Sequence, residues 1–521
     1  MILKLNQAAN TYVKNSLVFF ITGGYFILTY FGILHHEIWL DEAQHILLAR
    51  DSHSISEMIW NARYEGHPFL WNLLVYVVIH GTGQIMHVQL MHILISSFCV
   101  FLLLKYSPFS LLVNLLMCFG YFLLFEYSVI SRNYSLSLLF LLLVLINISP
   151  DKKNYIRLFV LLALLMNTHT FSGILSISFF IVLWKELSTQ KRSVRFTCLF
   201  IFLTALLLFL LQVIPPHDHF LHAYNINDLL SSKRIGKALH LLIMGVFPIP
   251  DLSLPNYWGN NAILRFSKII ITALAAALFF MPALLFYTNK KSLVLFYSGT
   301  LGILAFTYLT PLMPATRHGG FITMLLLASA WLKKTSAPDE AHITENKTMS
   351  EQKWVKNTTL IFFGSILIVQ FSSGLIFFCL ELRGKFSNAQ STAQFLNTHF
   401  SRTGSTVALT HFTSGPALAL LSDHKIFYME ENDYGTFCKW NTHPLFISDS
   451  VFTWRLLAQL KKTGQVVLVS NQKNTMEKIL KSNLTKTCMT KEIIHLQDGM
   501  IQTENYTVYV IREINSFPFK K

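Results

Sequence analysis

His35 to Trp71 reads HHEIWLDEAQHILLARDSHSISEMIWNARYEGHPFLW, and the setting of this stretch decides the fold. An apolar run from Ser16 to Leu34 leads into it, and the chain from Pro68 to His80 is apolar again. Asp41 and Glu42 therefore stand side by side just past the end of a hydrophobic segment. Burying a carboxylate at a bilayer boundary is costly unless it is paired, so its presence there points to function. Beyond it, Ala43–Asn61 scatters Ile46, Leu47, Ile55, Met58 and Ile59 among polar residues, as an amphipathic helix lying in the interface does. Tyr64-Glu65-Gly66-His67-Pro68 then turns the chain back toward the membrane.

The rest of the chain agrees with a membrane setting. Of 521 residues, 53% are hydrophobic and only 13% charged, against about 25% charged in a soluble domain. This excludes a water-soluble globular protein. No small-residue cleavage pattern follows Ser16–Leu34, which reads as a retained span. Further apolar runs lie at Met86–Leu104, Leu111–Phe125, Ser131–Ile148, Ile156–Thr170, Gly173–Trp184, Phe196–Ile214, Ile269–Phe286, Leu293–Thr310, Phe321–Trp331 and Leu360–Leu380. Pro68–His80 is the deciding segment. Read as re-entrant or interfacial, it places Lys4, Lys14, Lys105, Lys152, Lys153, Arg157, Lys185, Lys191, Arg192, Arg195, Lys290, Lys291, Lys333 and Lys334 all on the cytoplasmic side. Lys233, Arg234, Lys237 and Arg265 are exceptions, in a long loop where the rule is weaker. The expectation is a mainly α, polytopic bundle of about eleven spans with its N-terminus inside. The net charge of +15 is dispersed over loops as a topology signal, which argues against a nucleic-acid partner.

On this reading one face holds the chemistry: the loop 35–68, the corner Glu126–Arg132, His169, the loop 215–267, the corner Pro311–Gly320 and everything after Glu381. The other face has short basic loops and the connector 333–356. Residues 1–382 form the membrane domain. Residues 383–521 alternate short strands (STVALTH, KIFYME, QVVLVSN, YTVYVIREI) with helical segments (SNAQSTAQFLNTHF, Gly415–Leu421, VFTWRLLAQLKK, TMEKILKSN), as a small extracytoplasmic α/β domain does. Cys438 and Cys488, both in this part, could pair in an oxidising compartment. Trp39, Trp60, Trp71 and Tyr64 read as interface anchors, and Pro215–His219 as a solvated loop.

An acidic pair after the first span, an amphipathic loop and a Pro-terminated re-entry resemble the GT-C class of glycosyltransferases, membrane enzymes that take sugars from polyprenyl-phosphate carriers. Asp41-Glu42 resembles the pair of protein O-mannosyltransferases. Glu65-Gly66-His67-Pro68 is similar to the Glu-Lys-Pro-Pro re-entry of the bacterial aminoarabinose lipid A transferases, with Gly66-His67 in place of Lys-Pro. Ser131-Arg132-Asn133-Tyr134 is like the second outer loop of bacterial members, and Arg317-His318-Gly319 looks similar to a corner of theirs. The tail shows no repeat domain of the protein-mannosylating kind.

The resemblance implies an inverting transfer from a polyprenyl-phosphate-linked sugar to a glycan, lipid or protein acceptor at the periplasmic face of a bacterial inner membrane. Such chemistry needs a carboxylate base at the membrane boundary. Asp41 is the first candidate and Glu42 the second; Asp41 could instead cap the helix beginning near Ala43. A leaving phosphate needs positive charge, and Arg132, Arg317 and His318 are its candidates, although arginines at helix ends also snorkel to headgroups. Glu65, His67 and His169 are candidate ligands of a divalent metal, or substrate contacts. Glu126 reads as an ion-pair partner of Arg132 or a second outer acid. The rival readings are a polytopic transporter or lipid flippase, which needs charged or broken helices at mid-membrane, and a non-catalytic scaffold, which has no need of Asp41.

Overall fold

The computed structural model describes residues 2–148, 153–219, 232–310, 315–336, 349–401, 406–409, 414–441, 447–483 and 488–514. The middle of the 215–267 loop, the first part of the 311–320 corner and the middle of the 333–356 connector lie outside them.

The helices begin with α1 (Ile2–His35), α2 (Leu40–Arg50), α3 (Ile55–Ala62), α4 (Leu70–Thr82) and α5 (Ile85–Tyr106). Next come α6 (Leu111–Cys118), α7 (Tyr134–Ile148), α8 (Tyr155–Met166), α9 (Thr170–Ser188) and α10 (Arg192–Val213). The membrane part closes with α11 (Ser232–Val246), α12 (Lys268–Phe286), α13 (Lys290–Leu309), α14 (Thr316–Thr335) and α15 (Met349–Glu381). Among the described residues, seven helical stretches are long and apolar enough to cross a membrane: Asn15–His35 in α1, α5, α9, α10, α12, α13 and Asn357–Glu381 in α15. The chain is a multi-pass membrane protein. Short polar caps start several helices, as where Ser267 accepts from Ile270 N and Asn289 from Ser292 N.

The run Leu111–Phe125, expected as one span, is broken. α6 ends at Cys118, and a π-helical turn occupies Phe122–Glu126. Such turns are frequent at functional sites, and this one immediately precedes the corner that carries Arg132. The Pro68–His80 stretch forms α4, which packs on α2. Its Trp71, Val75 and Ile79 are buried in one cluster with Tyr428 and Val508 of the C-terminal part. At 13 residues α4 is too short to cross a bilayer by itself, where a helix needs about 20.

After α15 come α16 (Ala389–His399), β1 (Thr406–Leu409), α17 (Gly415–Leu421), β2 (Ile426–Tyr428), β3 (Asp433–Gly435), α18 (Asp449–Thr463), β4 (Gln465–Ser470), α19 (Lys473–Asn483), β5 (Cys488–Leu496) and β6 (Tyr506–Glu513). The strands make one six-stranded sheet in the order β3-β2-β1-β4-β6-β5. β2, β1 and β4 run parallel; β3, β6 and β5 join antiparallel to β2, β4 and β6 respectively. Alternation sends Val407, Val467, Val469 and Val508 to the face that meets α2 and α4. Ala408, Val466, Leu468 and Ile511 go to the face covered by α18 and α19. β3 and β5 are edge strands that apolar alternation does not announce; β5 is exposed over Met489–Ile493.

Cys438 and Cys488 do not pair. Both are buried and outside any disulfide, Cys438 on one face of the sheet and Cys488 on the other. Trp39 and Trp71 are not interface anchors either: both are packed inside the protein, while Trp60 is exposed beneath the Arg63 guanidinium. In Pro215–His219, His217 and Asp218 are exposed as a solvated loop requires, and Asp218 also accepts from the Tyr64 hydroxyl at 2.9 and 3.0 Å.

Candidate active site

The first turn of α2 carries Asp41, the corner after the π turn carries Arg132, and the first turn of α14 carries Arg317. They meet at one oxygen. Arg132 Nη1 lies 2.6 Å and Arg317 Nη2 3.1 Å from Asp41 Oδ2. The Arg317 guanidinium also lies 5.2 Å from the ring centres of both Trp39 and Trp258, which hold it by cation–π attraction. Burial alone would push the Asp41 carboxyl up, but the Arg132 and Arg317 charges outweigh it and hold it below the usual carboxylate range. Asp41 is ionised at neutral pH. Among the described residues the buried Arg132 Nε and Ser131 Oγ have no hydrogen-bond partner, so the corner beside Asp41 still has polar groups to offer.

Glu42 faces the other way. Its Oε2 lies 2.8 Å from His36 Nε2, and its Oε1 accepts from Ser131 N at 2.6 Å. His36 Nδ1 reaches Glu381 Oε1, at the end of α15, at 2.7 Å. Burial works against a charge on His36, yet Glu42 and Glu381 raise its basicity well above the histidine norm. This buried chain joins the first loop, the Arg132 corner and α15. Adjacent positions at a helix start point about 100° apart, so the two carboxylates do not share a target.

Glu126 is not the ion-pair partner of Arg132. It accepts from Trp258 Nε1 at 2.9 Å and from the Tyr121 hydroxyl, while Arg132 takes Asp41. His318 turns Nδ1 back to accept from Ala315 N at 3.0 Å, capping α14 and bracing the turn that bears Arg317. The structure brings Glu65, His67 and His169 near the site without making them a ligand set. Glu65 accepts from Gln44 Nε2 at 2.7 Å, His169 caps α9 by accepting from Phe171 N, and the His67 and His169 ring centres are 4.6 Å apart. Among the described residues no group of three or more His, Cys, Asp or Glu side chains is placed to hold a metal ion. Burial, assisted by Arg132, pushes His45 and His67 down to about 3, so both are neutral; burial lifts Glu65 to about 7.

An apolar cavity of about 650 Å³ runs beside α14, lined by Leu116, Tyr127, Gly320, Leu327, Phe363 and Lys334 among others. Its site end is close to Arg317, whose backbone oxygen accepts from the Tyr127 hydroxyl at 2.8 Å. Gly320 to Lys334 covers about 20 Å of helix, so the cavity follows most of α14, with Leu360, Phe363 and Leu367 of the candidate span in α15 on its wall. At the far end of α9, Glu186 accepts from Lys153 at 2.7 Å and Lys291 at 2.5 Å, gathering the basic loops away from Asp41. Sequence reading missed Trp258, Glu381 and Glu504, drawn to the site from distant segments without a motif to mark them, and also His36 and Gln44, which flank Asp41 in the chain.

This bundle, with an acidic residue after the first span and a small sheet domain seated on the first loop, has the GT-C membrane glycosyltransferase fold. Two solved structures make the likeness particular. One is ArnT from Cupriavidus metallidurans bound to undecaprenyl phosphate, 9% identical, with a TM-score of 0.52 over 95% of this chain and 98% of that one. The other is ArnT from the same organism in the apo state, 11% identical, with a TM-score of 0.53 over 97% and 98%. A weaker likeness, at a TM-score of 0.41 and 11% identity, extends to the arabinofuranosyltransferase AftD from Mycobacteria, covering 95% of this chain and 40% of that one. No protein-family model and no curated protein matches the sequence.

Proposed function

We propose that the chain is an inverting membrane glycosyltransferase that moves a sugar from a polyprenyl-phosphate carrier to an acceptor hydroxyl, with Asp41 as general base. The observation that carries this reading is the grip of two arginines on one carboxylate, joined through the Tyr127 hydroxyl and the Arg317 backbone to an apolar cavity along α14. The polyprenyl-phosphate ligand of the ArnT structure gives the cavity a natural occupant class. The lipid tail lies along α14 and its phosphate enters between Arg132 and Arg317.

A phosphate oxygen there competes with Asp41 for both guanidiniums, which grip phosphate as well as carboxylate. The carboxylate so freed recovers proton affinity. The acceptor oxygen attacks the anomeric carbon from the face opposite the phosphate and gives its proton to Asp41. The anomeric carbon–oxygen bond to phosphate breaks as the new one forms. The leaving phosphate keeps the bonding pair, its charge held by Arg132 and Arg317. Glu42 and His318 position the two turns rather than contact substrate. The loop-charge reading puts this face, with the C-terminal domain, on the periplasmic side of a bacterial inner membrane.

Comparative mass spectrometry of envelope glycolipids, polysaccharides and glycoproteins tests the reading. Four strains are compared: wild type, a deletion, and the deletion carrying either wild type or an equally abundant Asp41→Asn. A sugar mass increment is expected to vanish on deletion and return only with the wild-type chain. Full restoration by Asp41→Asn removes Asp41 from the base role, and an envelope unchanged in all four removes the transferase.

A further inference from the structure

The C-terminal part is fastened to the helix that carries Asp41 along its whole length. At the start of α2, Leu40 N donates to Glu504 Oε1 at 2.6 Å. One turn on, the Gln44 side chain behaves like a strand edge: Cys438 N donates to its Oε1 at 2.8 Å and its Nε2 donates to Cys438 O at 2.7 Å. At the end of α2, Asp51 Oδ2 accepts from the Thr436 hydroxyl. Between these points Ala43, Ile46 and Leu47 are buried with Ala417 and Leu418 of α17. α2 therefore takes its position from residues almost 400 or more places later in the chain.

Glu504 is the contact nearest to Asp41. It is fully buried, and its other oxygen accepts from the Ser387 hydroxyl, which itself accepts from Ala389 N at 3.0 Å. Glu504 thus joins the start of α2 to the start of α16. α2 has no Ser, Thr, Asp or Asn at the position before it, where Trp39 stands, and Glu42 reaches Trp39 N only at 3.4 Å. The first amide of the helix is met by a carboxyl from the other domain.

We infer that Glu504, supported by Gln44, is a positioning residue through which the C-terminal domain sets the placement of Asp41 against Arg132 and Arg317. This rests on the glycosyltransferase reading for its consequence in catalysis, though not for its structural content. Burial lifts the Glu504 carboxyl to about 8, with the Ser387 and Leu40 hydrogen bonds opposing and the Asp41 and Glu42 charges adding to the rise, so the group is mainly neutral at pH 7. A glutamine, neutral and of the same shape, keeps the oxygen that Leu40 N needs. Alanine leaves that amide unmet.

The test uses the full chain in lipid nanodiscs, with Glu504→Ala, Glu504→Gln and Gln44→Ala beside wild type. Hydrogen exchange over residues 39–50 reports the placement of α2, binding of undecaprenyl phosphate reports the phosphate site, and the wild-type-dependent sugar increment in cells reports transfer. Glu504→Ala is expected to speed exchange at the start of α2 roughly fivefold, the effect of losing a helix cap. Transfer should fall roughly ten- to a hundredfold, as displaced catalytic groups do, with undecaprenyl phosphate still bound. Glu504→Gln should restore exchange and transfer together. Wild-type exchange in Glu504→Ala overturns the inference, as does a Glu504→Gln as defective as the alanine variant, or loss of phosphate binding in step with transfer. If Glu504→Ala does not insert, Gln44→Ala decides: unchanged exchange over 39–50 refutes the fastening. Should Asp41→Asn retain transfer, the base assignment fails while the exchange data still judge the positioning role.

Discussion

Gly319→Ala is the sharpest perturbation of the site that removes no charged group. α11 and α14 cross with backbone against backbone at Gly245 and Gly319. A Cβ on Gly319 would lie 2.6 Å from Gly245 N and 2.7 Å from its Cα, where ordinary contact begins at 3.4 Å. The obstructing atoms are backbone, so no side chain can swing away, and the helices must part by about 0.8 Å (3.4 less 2.6). Gly245 is also held where it is, its carbonyl accepting from Gln370 Nε2 at 3.0 Å and from the Thr323 hydroxyl.

Overpacking of this kind costs about 1–3 kcal/mol, and the better helix propensity of alanine returns at most about 1. The larger effect is on chemistry. Arg317 stands two residues before Gly319 and reaches Asp41 at 3.1 Å. A shift of that size along the bond takes the contact to about 3.9 Å, beyond hydrogen-bond reach. Transfer should fall roughly a hundredfold, the order expected for a displacement near 1 Å in a catalytic constellation. Equal-abundance complementation read by the sugar increment, with thermal unfolding in detergent, measures both effects. Gly236→Ala, on the same α11 with nothing among the described residues within 4 Å of its Cβ, is the neutral control. A Gly319→Ala protein with wild-type transfer and melting temperature would refute the crossing and the argument built on it.

Two further outcomes follow from the same geometry. Because the folded pKa of His36 is raised, its contribution to stability is complete below its unfolded value of about 6.5 and is lost as pH rises through the higher folded value. The wild-type melting temperature should therefore decline on the alkaline side and His36→Gln should lack that decline; parallel profiles would remove the His36 charge from the account. Cys438 and Cys488, on opposite faces of the sheet, should both react with a thiol reagent after denaturation without reductant, and a mass two protons short of the free-thiol value would show a disulfide instead.

The bundle, its lipid setting and the identity of Asp41, Arg132 and Arg317 as candidates were legible in the residues, because hydropathy and loop charge act locally and a carboxylate at a span end is costly wherever it sits. The central strands were legible for the same reason, since QVVLVS is a continuous apolar run of the kind a buried strand requires. What needed the tertiary structure were the partners. Arg132 could have met Glu126, six residues away, but in the fold it takes Asp41 and Glu126 takes Trp258. Glu42 ranked second to Asp41 as a base from the sequence, but its partners, His36 and Ser131, showed only in the fold. Glu504 lies 464 residues from Leu40 and belongs to no motif, so only the docking of the sheet on α2 makes it a cap. Local patterns record what each segment must bury; which buried polar groups satisfy one another depends on chain crossings that no window of sequence contains.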